Sequence, residues 1–172
     1  MKGIGNVELG EPSRAVGDLD AVDFILHSAK QYGGDLKLVA CGPLTNLARA
    51  IEKDRAALTR MKEIVIMGGA LTVPGNVNIY AEANILSDPE AAKYVLESGV
   101  PVTLVGLDVT LKTMITGKDI ASWTEADTKA SQVLVDIAEY YYANEYEGDE
   151  DGGDMHDALA VEAAIHPEII TN

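Results

Sequence analysis

The segment with the richest set of hydrogen-bonding side chains is residues 75–84, GNVNIYAEAN. It holds three asparagines, Asn76, Asn78 and Asn84, and one glutamate, Glu82. Because every hydroxyl of a sugar both donates and accepts hydrogen bonds, carboxamides beside a carboxylate are a suitable set for a polyhydroxylated ligand. Asparagine and glycine are also the residues that build turns, so a purely structural loop is the alternative interpretation.

A second candidate for chemistry is the pair His156 and Asp157, which directly precedes the apolar run 158–161. A carboxylate at the start of a helix either caps the helix or binds a hard cation, and position alone favours the cap. His156 is the candidate general acid among the chain's histidines, because it adjoins this carboxylate.

Two further features have structural interpretations. Residues 145–157, EYEGDEDGGDMHD, resemble a calcium-binding loop, but Ala158 stands where an EF-hand has its bidentate glutamate. The acidic run is therefore interpreted as a solvated loop. Cys41 has no histidine near it in the sequence and is interpreted as a buried structural thiol.

The elements that must position these residues follow from the apolar pattern. Runs rich in β-branched residues at 36–41, 63–67 and 100–105 are nearly continuous, which is typical of strands buried on both faces of a parallel sheet. Helical patterns lie before, between and after them, at 21–31, 44–58, 89–98, 118–123, 127–145 and from 156. The alternation predicts one α/β domain over residues 1–172, an open, mostly parallel sheet with helices on both faces.

Ligands of such sheets bind outside the carboxyl ends of the strands. This rule places residues 41–43, 67–70 and 106–108 at one edge. Residues 70–88 are expected to form a long loop that leaves the second strand, and long loops in compact domains are commonly functional.

Charge narrows the class of partner. The chain carries 28 acidic and 13 basic side chains, a formal net charge of −15. Such a chain repels phosphate backbones and anionic lipid, which argues against nucleic acid or membrane as partners and favours cations or neutral solutes. One cysteine excludes an internal disulfide, and the N-terminal residues do not form a signal-peptide pattern, so a cytoplasmic location is expected.

Five segments, in their order and spacing, resemble the inosine-uridine preferring nucleoside hydrolases. They are CGPLTNLARA (41–50), EIVIMGGA (63–70), GNVNIYAEANILSDPEAA (75–92), VTLVGLDVT (102–110) and MHDALAV (155–161). The resemblance implies an enzyme of purine and pyrimidine salvage that hydrolyses the N-glycosidic bond of ribonucleosides, giving ribose and free base. It also implies Ca²⁺ as cofactor and the same open α/β sheet.

The resemblance assigns a role to each matching residue. Asp157 would bind both calcium and ribose, and the backbone carbonyl of Cys41 would be a further calcium ligand. His156 would be the catalytic residue near the leaving base. The implied substrate-binding residues are Met67, Asn76, Glu82, Asn84 and Asp157.

The chain departs from the family pattern at two places. The opening motif D-x-D-x-x-x-D-D, which supplies further calcium carboxylates and the general base, has no match in residues 1–40, and Ala83 stands where the AEFN form has Phe. The chain is therefore expected to match the central portion of the family, with its first strands and a C-terminal portion absent. The alternative function is a catalytically inactive ribose- or calcium-binding or structural fragment. Unpaired strand edges would favour self-association, so a homo-oligomer is expected.

Overall fold

The computed structural model describes residue 5, residues 7–145 and residues 153–170. Its strands are β1 (Lys37–Ala40), β2 (Glu63–Met67), β3 (Thr103–Val105), β4 (Met114–Ile115) and β5 (Gly153–Asp154). Its helices are α1 (Ala21–Tyr32), α2 (Thr45–Thr59), α3 (Ala83–Ser87), α4 (Pro89–Glu97), α5 (Leu107–Thr110), α6 (Gly117–Glu125), α7 (Lys129–Glu145) and α8 (Asp157–Ile165). None of the described helices is both long enough and apolar enough to cross a lipid bilayer. Residues 146–152, most of the acidic run interpreted as a solvated loop, lie outside the described residues.

The chain forms two compact units. The first comprises the described parts of Met1–Val16 and Lys112–Met155, with α6, α7 and the antiparallel pair β4–β5. The second comprises the described parts of Gly17–Leu111 and His156–Asn172 and contains every candidate site residue. The single domain expected over residues 1–172 stays a prediction.

The second unit is built on a parallel sheet with the strand order β1-β2-β3. Val39 pairs with Val65 across β1 and β2, and Ile66 pairs with Leu104 across β2 and β3. All three strands run in one direction, so their carboxyl ends meet at the same edge, as the continuous apolar runs predict.

Alternate residues of β2 enter two different apolar clusters, because successive side chains of a strand point to opposite faces. Ile64 and Ile66 pack with buried residues of α1, α2 and α4, whereas Val65 and Met67 pack with alanines of α8. This confirms the prediction of an α/β sheet with helices on both faces.

The prediction of an uninterrupted loop over residues 70–88 is wrong, because α3 lies inside it. Glu82 caps this helix and accepts hydrogen bonds from the backbone N–H groups of Asn84 and Ile85. The third strand is also shorter than predicted: Pro101 has no N–H to give to a ladder, and pairing with β2 begins at Thr103.

Candidate functional site

The candidate site lies at the carboxyl edge of the β1-β2-β3 sheet. The ends of β2 and β3 are joined there by two backbone hydrogen bonds, Gly68 N to Val105 O at 3.1 Å and Leu107 N to Gly69 O at 2.9 Å. A Cβ at position 106 would lie 2.9 Å from Gly69 O, so only glycine permits this close approach. The edge is therefore a rigid platform for the loop that follows β2.

Glu82 is buried at this edge, with 2% of its surface exposed. Its Oε2 accepts from the backbone N–H groups of Gly69 and Ile85, both at 3.0 Å, and its Oε1 accepts from that of Asn84 at 2.8 Å. A carboxylate has about four lone-pair positions, so about one remains, on Oε1. Glu82 thus anchors the loop to the end of β2 and retains room for one further donor.

Asn84 lies two residues after Glu82, in the first turn of α3, and its side chain is held by Met67, the last residue of β2. Its Nδ2 donates to the backbone oxygen and to the Sδ of Met67, both at 3.2 Å. Within the described parts of the chain, Asn84 Oδ1 has no hydrogen-bond partner. Met67 is 2% exposed, so its side chain is mainly packing beneath Asn84.

Asn76 faces solvent on the opposite limb of the same loop. Its Oδ1 accepts from the backbone N–H of Ala83 at 3.0 Å, which leaves the Nδ2 group as a donor. The two limbs touch: Val77 N donates to Ala81 O at 3.2 Å, and a Cβ on Gly75 would lie 2.1 Å from that oxygen. Residues 75–83 therefore form a closed turn that presents Asn76.

The Asp157 carboxylate interacts electrostatically with Glu82, His156 and Cys41. Although the Asp157 residue is exposed, partial desolvation of its carboxyl raises the pKa of that group. The charge of His156 lowers this pKa, and the charge of Glu82 raises it. Partial burial and the charge of Asp157 together raise the pKa of the Cys41 thiol. Cys41 is only partly buried, so its interpretation as a buried structural thiol stays a prediction. The carboxyl edge thus brings the charges of Glu82 and Asp157 into one negative field beside the end of β1.

Asp157 does not cap α8, which overturns the interpretation favoured from its position alone. The N-cap residue is His156, without a capping side-chain hydrogen bond, and Asp157 is the first residue of the helix and is exposed. Its carboxylate is therefore available to a ligand rather than committed to the helix end.

His156 is oriented by Thr110, the last residue of α5. Its Nδ1 lies 2.8 Å from Thr110 Oγ1, and Thr110 is completely buried. The hydrogen bond fixes the plane of the imidazole and leaves Nε2 as the nitrogen that can address a ligand.

Calcium prefers six to eight oxygen ligands. Across the described residues, no group of three or more His, Cys, Asp or Glu side chains is arranged to hold a metal ion. Asp157 offers one carboxylate and Cys41 one backbone carbonyl, which is too few for a calcium site. These residues therefore do not fit the ion by themselves.

Sequence reasoning assigned no role to Thr110 or Asp108, although both belong to the segment VTLVGLDVT. Thr110 orients His156, and Asp108 accepts hydrogen bonds from the backbone of Leu71 and Thr72. The rule that places residues 106–108 at the ligand edge was the available signal, but polar contacts between distant segments cannot be read from spacing.

A model of the family described as inosine-uridine preferring nucleoside hydrolase matches residues 1–172. The chain is 36% identical over 170 residues to uridine nucleosidase 1 of Arabidopsis thaliana, covering 98% of the chain and 51% of that protein. It is 38% identical over 157 residues to a pyrimidine-specific ribonucleoside hydrolase of Escherichia coli, covering 91% of the chain and 50% of that protein.

A solved structure also relates the chain to nucleoside hydrolases. A purine-preferring ribonucleoside hydrolase from Gardnerella vaginalis superposes with a TM-score of 0.90 at 44% identity, covering 98% of this chain and 54% of that one. The chain thus spans about half the length of the relatives it matches.

Proposed function

The chain belongs to the inosine-uridine preferring nucleoside hydrolase family, and we propose that it hydrolyses the N-glycosidic bond of ribonucleosides to ribose and free base. One observation carries the proposal: Asn76, Glu82 and Asn84 present complementary hydrogen-bonding atoms on the loop that follows β2, and the charge of Glu82 acts on Asp157. The family is metal-dependent, and relatives carry the names nucleosidase and ribonucleoside hydrolase.

The proposed ribose ligands include both hydrogen-bond donors and hydrogen-bond acceptors. Asn76 Nδ2 is a donor, Asn84 Oδ1 is an acceptor, and Glu82 Oε1 has room for one hydroxyl. Cleavage of an N-glycosidic bond gives the ribose the character of an oxocarbenium ion, and acceptor oxygens fixed around the ring stabilise that charge. Met67 supports this surface from below by holding Asn84.

Asp157 is the carboxylate that we assign to both ribose and metal. The metal we propose is calcium, with the Cys41 carbonyl as a second ligand, on the basis of the family resemblance alone. Because the described residues do not complete a calcium site, we derive no step of the reaction from the ion.

His156 is the residue we assign to the leaving base. Protonation of the base lowers the barrier to its departure, and a general acid contributes typically about 10²–10⁴-fold to such steps. With Nδ1 engaged by Thr110, Nε2 is the nitrogen in a position to interact with the base.

The base preference stays open within this proposal, since the relatives are named for uridine, for pyrimidines and for purines. From the sequence we further propose a role in nucleoside salvage and a cytoplasmic location. A homo-oligomer is proposed because, in the part of the sheet that the structure describes, β1 and β3 each pair on one side only.

The experiment that tests the function is hydrolysis of uridine and inosine with added CaCl₂, repeated after chelation. Asp157→Asn should reduce kcat/KM at least about tenfold, because it removes a charge from the site. Asp35→Asn is the matched control, an exposed carboxylate at the amino-terminal side of β1. Equal rates for Asp157→Asn and the control would refute the assignment.

The second candidate function is an inactive ribose- or calcium-binding or structural subunit. The observation that favours it is the incomplete metal donor set of the described residues. Calorimetry distinguishes the two: ribose binding that Asp157→Ala abolishes, without hydrolysis of either nucleoside, supports the binding subunit. Hydrolysis well above the uncatalysed rate refutes it.

A further inference from the structure

We propose that Asp108 is a positioning residue of the site, whose carboxylate holds the start of the loop 70–82 so that Asn76 and Glu82 are presented to the ligand. This inference rests on the proposed function for its effect on substrate, but the contact itself is a property of the fold.

Asp108 is the second residue of α5, directly after the carboxyl end of β3. Its Oδ2 accepts from the backbone N–H of Leu71 at 2.9 Å, and its Oδ1 accepts from that of Thr72 at 2.7 Å. The hydroxyl of Thr72 donates to the same Oδ1. One side chain thus binds two consecutive residues that are 36 and 37 positions away in the chain.

These hydrogen bonds are made to a charged acceptor. The backbone N–H of Leu71 and the hydroxyl and N–H of Thr72 lower the pKa of the Asp108 carboxyl to about 2. The carboxylate therefore stays ionised at any pH at which the protein would be assayed, and charge-assisted bonds of this kind are stronger than neutral ones.

The surroundings of Leu71 and Thr72 show what the contact with Asp108 does for the loop. Leu71 is 80% exposed and Thr72 is exposed, so the start of the loop has little apolar burial to hold it. At the far end of the loop, Glu82 binds Gly69 and Asn76 binds Ala83. Two carboxylates, Asp108 and Glu82, therefore fix the two limbs of one loop to adjacent strand ends.

Asp119 shows the contacts of an aspartate whose role is purely local. Asp119 makes the same pair of bonds, accepting from the N–H and the hydroxyl of Thr116 at 2.8 and 2.6 Å, but within one capping box at the start of α6. Asp108 instead joins two separate segments at the ligand edge. Asp119→Asn is therefore the matched control for Asp108→Asn.

The test combines amide hydrogen exchange with steady-state kinetics on uridine and inosine. In Asp108→Asn we expect exchange at Leu71 and Thr72 to rise about tenfold or more, with β2 still protected, since a carboxamide replaces the charged acceptor. We expect KM to rise several-fold with kcat nearly unchanged, the signature of a lost binding geometry. Asp119→Asn should change neither.

Two variants at Thr72 keep the proposal falsifiable if Asp108→Asn folds poorly. Thr72→Val removes one of the three hydrogen bonds and should raise KM. Thr72→Ser retains the hydroxyl, so its KM should stay close to that of the unsubstituted protein. Unchanged exchange at 71–72, or raised exchange with an unchanged KM, overturns the positioning role. Failure of the unsubstituted protein to bind or hydrolyse nucleosides overturns the proposed function instead, while the exchange measurement still reports on the contact.

Discussion

Thr110 Oγ1 and His156 Nδ1 lie 2.8 Å apart, and this contact joins the end of α5 to the start of α8. Thr110 is completely buried, so its hydroxyl has a fixed position behind the imidazole. The orientation of the proposed acid is therefore set by the segment that follows β3 rather than by the helix that His156 precedes.

Thr110→Val keeps the shape of the buried side chain but removes the hydroxyl. Loss of this hydrogen bond costs about 0.5–1.5 kcal/mol, and the imidazole becomes free to rotate. We expect kcat/KM for nucleoside hydrolysis to fall about threefold to tenfold. Thr110→Ser retains the hydroxyl and should stay closer to the unsubstituted rate. Equal losses in both variants would indicate a packing effect.

Gly75→Ala should disrupt the closed turn that presents Asn76. The added Cβ would lie 2.1 Å from Ala81 O, so the limbs must separate, at a cost of about 1–3 kcal/mol in the free energy of unfolding. Ribose binding, measured by calorimetry, should weaken with it. Gly117→Ala is the control, because a Cβ there meets nothing within 4 Å and should change stability by about 0.5 kcal/mol or less.

Protonation of Asp88 should make the stability of the protein depend on pH in the acid range. Hydrogen bonds from Thr45 and from the N–H of Ala91 lower the pKa of this carboxyl below its unfolded value of about 3.9. Its contribution is therefore present above about pH 4 and disappears as pH falls through the lower, folded pKa. Asp88→Asn should lower the melting temperature at pH 7, and the difference from the unsubstituted protein should narrow as pH falls below about 4.

The control for this charge is Glu97→Gln in the same helix, α4. In the described part of the chain, the Glu97 carboxylate makes no hydrogen bond, so the substitution changes net charge alone. A difference for Asp88→Asn that stays constant from pH 7 to pH 2 would contradict the prediction.

The sheet and its flanking helices could be predicted because burial on two faces leaves continuous apolar runs, which are visible at 63–67. Likewise the strand-end rule places Cys41 and Met67 at the ligand edge. The five-residue helix α3 could not be predicted, because it is shorter than any window in which helical periodicity is measurable.

The hydrogen bonds between distant residues of the site could not be predicted from the sequence either. Thr110 and His156 are 46 residues apart, and Asp108 and Thr72 are 36 apart. Hydrogen bonds over such separations leave no periodic pattern, because each depends on how two strand ends are brought together. Asp157 shows the same limit: its type suggested a cap, and the backbone placed His156 at the N-cap position.

Glu82 holds the loop to the end of β2 and is also a proposed ribose ligand, and Glu82→Gln tests both roles. The carboxamide keeps one oxygen, so at least one of the N–H groups of Gly69, Asn84 and Ile85 loses its acceptor. An unsatisfied buried donor costs about 1–3 kcal/mol, and chemical denaturation should show that loss together with weaker ribose binding. Asn84→Asp, which retains Oδ1, tests the neighbouring acceptor, and Glu52→Gln on the exposed face of α2 is the control. Unchanged stability in Glu82→Gln would show that the carboxylate serves the ligand alone.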